Sequence, residues 1–140
     1  MEQNLISSAD VIGMFCRLKM STRHDLPIRS SEMGALIFVQ KQEEEVTPSM
    51  ISDFFRIAKP SVTSMVSSLV KKGYLDKLNS ETDKRSYTLR MTRKGNELLD
   101  SAFIEYYRAI NELSERMGKE AFDQFIRLMQ MANDILEETK

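Results

Sequence analysis

Residues 59–73 read KPSVTSMVSSLVKKG, and their apolar and polar positions separate onto two faces of a helix. The apolar face comprises Val62, Val66, Leu69 and Val70, which we expect in the core. The opposite face comprises Ser61, Ser64, Ser67, Ser68 and Lys71, with Thr63 beside them. Serine is a mediocre helix former, so four serines on one face are unusual. Such small hydroxyl side chains indicate a helix that approaches another surface closely.

The preceding residues predict a shorter helix and a tight turn. Thr47 is a good N-cap and Pro48 suits the first helical position, so a helix should begin here and end near Phe55. A four-residue connection, 56–59, then leads to Pro60, which suits the start of the next helix. Two short helices joined by such a turn predict a helix-turn-helix.

After Gly73, which suits a helix C-cap, the pattern changes from a helical period to a period of two. Residues 74–78 and 86–91 alternate between two faces, which predicts two β-strands. The polar stretch 79–84 between them predicts a hairpin with a charged tip, and Val46 is expected to add a short third strand. A helix-turn-helix followed by such a hairpin predicts a winged helix-turn-helix.

Apolar residues recur at helical spacing before this central part. The spacing predicts one helix from about residue 5 to residue 20 and, after the break at Pro27, a second helix from Ser30 or Ser31 to about residue 42. The second helix is expected to bury Met33, Leu36, Ile37 and Val39 or Gln40.

Seven-residue apolar repeats follow Thr92, which should cap the next helix, and Gly118 divides them between two helices. They are Leu99, Tyr106 and Leu113; Phe103, Ile110 and Met117; and Phe122, Met129 and Leu136. These seams could pack against their own domain, but a helix of about 25 residues is ~37 Å long and exceeds what the small preceding body covers. We therefore predict a homodimer whose interface also includes the first helix, with Leu5 and Ile12.

Composition excludes several classes of protein. With 140 residues, 41% of them hydrophobic and 29% charged, the chain has the size and composition of one folded domain. It contains no apolar run long enough to cross a membrane and no basic-then-apolar signal at its N-terminus, so we expect a cytoplasmic protein. A single Cys excludes an internal disulfide and a Cys-based zinc site, and a single His leaves catalysis poorly equipped. We expect neither an enzyme nor a cofactor.

Charge is distributed unevenly along the chain. Residues 56–95 contain ten basic and three acidic residues, a net charge of +7, whereas the rest carries −8. A basic segment around a hydroxyl-bearing helix favours double-stranded DNA as the partner. The alternative is a winged-helix module that binds another protein without DNA, and binding to heparin or random duplex at low salt would discriminate the two.

The predicted DNA contacts lie on the helix over residues 59–73, the second helix of the helix-turn-helix, and on the hairpin. On the helix they are Lys59, Pro60, Ser61, Thr63, Ser64, Ser67, Lys71 and Lys72. At the hairpin tip, Lys84 and Arg85 are expected to reach the minor groove, whose negative potential favours an inserted Arg. Asp83 is expected to orient a nearby Arg through a salt bridge.

Several short motifs together resemble the MarR family of bacterial transcription regulators. They are Ser61-Val62-Thr63, Lys72-Gly73-Tyr74-Leu75, Asp83-Lys84-Arg85-Ser86 and Leu89-Arg90-Met91-Thr92-Arg93-Lys94-Gly95. The flanking helices match in order and length, so the resemblance covers nearly the whole chain.

This resemblance implies a mainly α fold with a β-hairpin wing, in a single domain over 1–140. Residues 30–95 would form the winged helix-turn-helix, and 1–25 and 96–140 would supply the dimerisation helices. It further implies a homodimer on a palindromic operator, and a repressor that a small aromatic or amphipathic effector releases. Met14, Met20 and Met33 fall where an effector pocket would open, with core packing as the alternative.

Two isolated residues are given structural roles only. Cys16 lies between apolar neighbours, Phe15 and Leu18, and is expected to be a buried small hydrophobe that does not act as a redox switch. His24, beside Asp25, is expected to be a solvated loop residue, because no nucleophile motif accompanies it.

Overall fold

The computed structural model describes residues 2–20, 26–83 and 85–140, apart from the side chain of Met20. These residues form six helices and one antiparallel hairpin, which confirms the predicted fold class. The elements are α1 Gln3–Met20, α2 Ser30–Lys41, α3 Pro48–Phe55, α4 Lys59–Lys71, β1 Leu75–Asn79, β2 Tyr87–Met91, α5 Arg93–Met117 and α6 Lys119–Glu138.

The chain divides into two compact units, and the division falls within α5. The central unit is Leu26–Phe103, and the terminal unit comprises Met1–Asp25 and Ile104–Lys140. The central unit contains α2, α3, α4 and the hairpin, together with the first turns of α5.

The core of the central unit forms around α2. Its largest fully buried side chains are Met33, Leu36, Ile51, Leu69, Leu75, Leu89, Glu32, Val46 and Val62. Because α4 and β2 both pack against α2, this helix buries more than one stripe. Phe38 and Val39 are therefore buried, whereas Gln40 is exposed and Ile37 is only half-buried.

The N-terminus of α2 differs from the prediction of a serine cap. Arg29 is the N-cap residue, and its backbone N–H donates to Oε1 of Glu32 at 2.9 Å. Glu32 is the third residue of α2, and a carboxylate at that position can reach back to the cap. The cap therefore moves one residue upstream of Ser30.

The helix-turn-helix begins and turns at residues with clear local causes. The Thr47 hydroxyl accepts a hydrogen bond from the Met50 backbone N–H at 3.2 Å, as its predicted role as N-cap requires. Arg56 ends α3 in the left-handed conformation, with a φ of 55°. The Ser52 hydroxyl then donates to the Ile57 carbonyl at 2.7 Å, and this bond holds the turn.

The bounds of α4 are close to those predicted. It begins at Lys59 after the N-cap Ala58, which provides no side-chain cap. The connection from α3 is therefore one residue shorter than predicted. Gly73 follows the C-cap Lys72 with a φ of +86°, a conformation that glycine adopts freely.

The wing is a hairpin in which Leu75 pairs with Met91 at one end and Asn79 pairs with Tyr87 at the other. The predicted third strand is a single bridge: the Val46 and Leu89 backbones exchange hydrogen bonds of 3.2 and 2.7 Å.

Thr92 joins the start of α5 to the end of α4. Its hydroxyl donates to the Gly73 carbonyl at 2.6 Å and accepts from the Gly95 backbone N–H at 3.0 Å. The predicted cap of α5 is confirmed, and the same hydroxyl ties two helix ends together.

In the terminal unit, α1 packs against α6 through Phe15 and Phe125, whose ring centroids are 5.8 Å apart in an edge-to-face arrangement. No residue of α6 is buried. The prediction that Cys16 is buried is wrong for the single chain, because this cysteine is exposed. Successive residues of a helix lie about 100° apart, so a helix that turns Phe15 towards α6 turns Cys16 outward.

The sequence predicted no membrane-spanning segment, and it predicted that His24 is a solvated loop residue. None of the helices within the described ranges combines the length and the apolar character that crossing a membrane requires. His24 and Asp25 lie outside the described residues.

Candidate nucleic-acid interface

The predicted division of α4 into two faces is present in the structure. Val62, Met65, Val66 and Leu69 are buried against the central unit. Exposed are Lys59, Pro60, Ser61, Thr63, Ser64, Ser67 and Lys71. Ser68, which the sequence assigned to the hydroxyl face, is half-buried.

Two grooves lie between α4 and the wing, both lined by Thr63 and Tyr87, and we call them together the α4–wing groove. The first has a volume of about 390 Å³, and its lining includes Lys59, Thr63 and Arg85. The second has a volume of about 360 Å³, and its lining includes Ser67, Lys71, Lys77 and Thr63 again. Helix α4 and the wing thus present their basic and hydroxyl groups to one surface.

The cations of this surface are not neutralised by acidic neighbours. Among the residues that the structure describes, no acidic side chain forms an ion pair with Lys59, Lys71, Lys77 or Arg85. Cations without acidic partners are available to an anionic ligand such as a phosphate backbone.

Asp83 shapes the wing tip through hydrogen bonds. Its Oδ1 accepts from the Arg85 backbone N–H at 2.9 Å, and its Oδ2 accepts from the Ser86 hydroxyl at 3.1 Å. The sequence predicted a salt bridge to an Arg side chain, whereas these contacts fix the backbone that carries Arg85. Lys84 lies outside the described residues, and its DNA contact stays a prediction.

Two residues of this surface were not singled out from the sequence. Lys77 lies on β1 with its Nζ 4.2 Å from the centroid of the Tyr87 ring. Tyr87 belongs to the alternating stretch 86–91 that predicted a strand, and its position at the groove is a feature of the tertiary structure. Lys77 was visible only as a member of the basic segment.

Lys72 differs from the other predicted phosphate contacts. Its Nζ lies 3.6 Å from Oε1 of Glu32, whose side chain has no exposed surface. Glu32 Oε2 is also buried and has no hydrogen-bond partner among the described atoms. The DNA contact of Lys72 stays a prediction, but the structure gives this lysine an internal partner.

The pKa of the Glu32 carboxyl is lowered from its usual value. Burial alone raises it, but hydrogen bonding with Ser68 and Arg29 and the charge of Lys72 together outweigh the burial. A lowered pKa keeps the carboxylate charged near neutral pH, so the pairing with Lys72 is ionic.

The residues assigned to the dimer lie mostly at the surface of the single chain. Exposed are Leu5, Ile12, Phe103, Ile110, Met129 and Leu136, and half-buried are Tyr106, Leu113 and Phe122.

Burial raises the pKa of the Tyr106 phenol, and the neighbouring Tyr107 adds to this shift.

The three methionines assigned to an effector pocket have different environments. Met33 belongs to the core of the central unit, whereas Met14 is exposed on α1. The side chain of Met20 lies outside the described part of the chain. The pocket stays a prediction.

Comparisons with known proteins agree with this geometry. A family model described as the MarR family matches residues 24–86. The HTH-type transcriptional regulator BilQ of Clostridioides difficile is 24% identical over 100 residues, 71% of this chain and 67% of that protein. The transcriptional repressor MprA of Escherichia coli is 25% identical over 108 residues, 74% of this chain and 61% of that protein. The aligned part thus spans about two thirds of BilQ and less than two thirds of MprA.

Solved structures share the fold at low sequence identity. A mutant of MarR from E. coli complexed with operator DNA has a TM-score of 0.76 at 17% identity, covering 92% of this chain and 95% of that one. The MepR–DNA complex of S. aureus has a TM-score of 0.79 at 15% identity, covering 90% and 96%. A MarR/EmrR family transcriptional regulator from Acinetobacter has a TM-score of 0.78 at 19% identity, covering 99% of both chains.

Proposed function

We propose that this chain is a member of the MarR family and acts as a sequence-specific DNA-binding repressor of transcription. The observation that carries the proposal is the α4–wing groove, where exposed hydroxyl groups of α4 lie beside cations without acidic partners. Two structures of this fold contain DNA, and the name of MprA describes a repressor.

The proposed contacts divide between base edges and phosphates. In this motif the N-terminal residues of the second helix contact base edges in the major groove, and here they are Ser61, Thr63 and Ser64. Lys59 and Lys71, on the same helix, would contact phosphates. At the wing, Asp83 holds the backbone that presents Arg85, which would enter the adjacent minor groove.

We further propose that the protein acts as a homodimer through α1, α5 and α6. The terminal unit exposes many large apolar side chains, such as Leu5, Ile12 and Leu136, and such surface typically marks an interface. A two-fold dimer would place its two α4 helices about one duplex turn, ~34 Å, apart on a palindromic operator. We place such a regulator in the cytoplasm, and release by a small aromatic or amphipathic effector remains an expectation from the family.

Selection of bound duplexes from a random pool tests this function. We expect the selected sequences to converge on two inverted half-sites, because a dimer with two-fold symmetry requires them. Affinity for the selected duplex should fall steeply with salt: the logarithm of the binding constant should decrease by roughly 0.9 per phosphate contacted for each tenfold rise in salt concentration. Binding without salt dependence, or no enrichment at all, would contradict the proposal and favour a protein-binding module.

Thr63 offers a narrower prediction about base contacts. Its hydroxyl donates to the Lys59 carbonyl at 3.1 Å, so the proton is engaged, and the methyl group and the acceptor side of the oxygen remain available. A threonine methyl can contact the methyl group of thymine. We therefore expect Thr63→Ser to weaken binding to the selected duplex about fourfold per half-site, the value of one buried methyl group, with binding to random duplex unaffected.

The matched variant is Thr63→Val, which keeps the methyl group and removes the hydroxyl. It should bind the selected duplex within about twofold of the parent, since it keeps the methyl group that makes the proposed contact. A loss for Thr63→Val with parent-like binding by Thr63→Ser, in a titration against the selected duplex, would show instead that the hydroxyl makes the contact.

A further inference from the structure

The C-terminal end of α4 is held from inside the central unit. Lys72, its C-cap residue, directs its Nζ to the fully buried carboxylate of Glu32 at 3.6 Å and to the backbone carbonyl of Pro27 at 3.5 Å. Ser68, one helical turn earlier on α4, faces the same carboxylate. A single group at the start of α2 thus engages two residues of the recognition helix.

The backbone at this point is held from the other side. Lys94, in the first turn of α5, donates its Nζ to the Lys72 carbonyl at 2.7 Å and lies 4.8 Å from the Tyr74 ring centroid. The Thr92 hydroxyl donates to the Gly73 carbonyl in the same way. The end of α4 is therefore fixed to the starts of both α2 and α5.

Lys71 and Lys72 have different environments although they are adjacent. Lys71 is exposed, lines the α4–wing groove and has no acidic partner among the described residues. Lys72 is also exposed, with 41% of its side chain accessible, but its Nζ lies beside the buried Glu32 carboxylate. The two positions differ by about 100° around the helix, which is enough to give the two ammonium groups different neighbours. The chain therefore contains its own matched pair for an experiment.

We propose that Glu32 and Lys72 form an internal anchor that positions α4 for operator recognition, and that Lys72 is a positioning residue and not a phosphate contact. This inference rests on the proposed function. Ser61 precedes Lys72 by eleven residues, a distance of ~16 Å along a helix. A tilt of about 5° at the anchored end would displace Ser61 by more than 1 Å, which is enough to disturb contacts with base edges.

The test compares Lys71→Met with Lys72→Met on the selected duplex and on random duplex across a salt series. Lys71→Met should weaken binding to both duplexes alike. It should also reduce the salt slope, that of the logarithm of the binding constant against the logarithm of the salt concentration, by about two per dimer. Lys72→Met should leave the slope unchanged and reduce the ratio of selected to random affinity by roughly two- to thirtyfold. Lys72→Arg, which keeps the charge opposite Glu32, should restore most of that ratio.

Glu32→Gln tests the other half of the anchor. It removes the charge at nearly constant volume. Like Lys72→Met, it should lower the ratio of selected to random affinity, although Glu32 is buried and cannot itself contact DNA. The double variant Glu32→Gln/Lys72→Met should lose no more than the worse single variant, because both substitutions remove the same contact. Should Glu32→Gln fail to fold in urea titrations, the three Lys72 and Lys71 variants still decide the question.

The outcomes separate the anchor from the function. A reduced salt slope for Lys72→Met, equal to that for Lys71→Met, would overturn the anchor while DNA binding stands. Fully additive losses in the double variant would also overturn it, since independent residues behave in that way. Absence of salt-dependent binding by the parent protein would instead contradict the proposed function.

Discussion

Met129→Glu combined with Leu136→Glu is expected to convert the dimer into a folded monomer and to lower affinity for the selected duplex at least about a hundredfold. Both side chains lie on α6, 37% and 65% exposed in the single chain. Two carboxylates at an apolar interface would be buried without partners, which opposes association. A monomer then loses the effective concentration that links its two half-sites.

Arg127→Glu is the matched control, because it changes the net charge by the same amount. Arg127 is exposed and lies about 180–200° around α6 from both substituted positions. We expect it to leave the dimer intact. Sedimentation should show twice the 16.2 kDa chain mass for the parent and for this control, and the chain mass alone for the double variant. A dimeric double variant would contradict the assigned interface.

Gly95→Ala is expected to destabilise the protein by roughly 1–3 kcal/mol or more, although alanine normally favours a helix. A Cβ at Gly95 would overlap the carbonyl oxygen of Tyr74 and would lie 3.0 Å from Cε of Met91. The Tyr74 carbonyl belongs to the backbone and already accepts the Thr92 N–H at 3.2 Å, so it cannot move independently. The start of α5 must therefore shift away from the end of α4.

Urea unfolding followed by circular dichroism measures this effect, and Gly13→Ala provides the control. Gly13 lies inside α1, and its nearest neighbour would be the flexible Arg17 side chain at 3.4 Å. We expect this substitution to stabilise the helix by up to about 1 kcal/mol. A Gly95→Ala protein that unfolds at the same urea concentration as the parent would contradict the close approach of α5 to the Tyr74 backbone.

The secondary structure was predictable because its signals are local. Thr47 and Thr92 cap helices with their own side chains, and Gly73 and Gly118 provide the left-handed conformations that end or begin helices. The period-two pattern likewise predicted the hairpin in which Leu75 pairs with Met91. Each of these features depends on residues within one turn or one strand.

The pairing of Glu32 with Lys72 was not predictable in this way. The two residues are forty positions apart in the sequence, and no periodicity connects them. The sequence placed Lys71 and Lys72 together as phosphate contacts, since only the packing of α2 against α4 distinguishes their directions. The role of Asp83 was inferred from charge alone, which does not reveal that its oxygens hold the backbone of Arg85.

The exposure of Cys16 has a practical consequence for work on this protein in solution. It is the chain's only cysteine and is exposed in the single chain, so a thiol-reactive probe that reaches it in the assembly attaches at one defined position on α1. Two such labels in an assembly would report a single inter-subunit distance by spectroscopy. Any covalent dimer on a non-reducing gel would contain a Cys16–Cys16 link, and a reductant is therefore needed before oligomeric mass is interpreted.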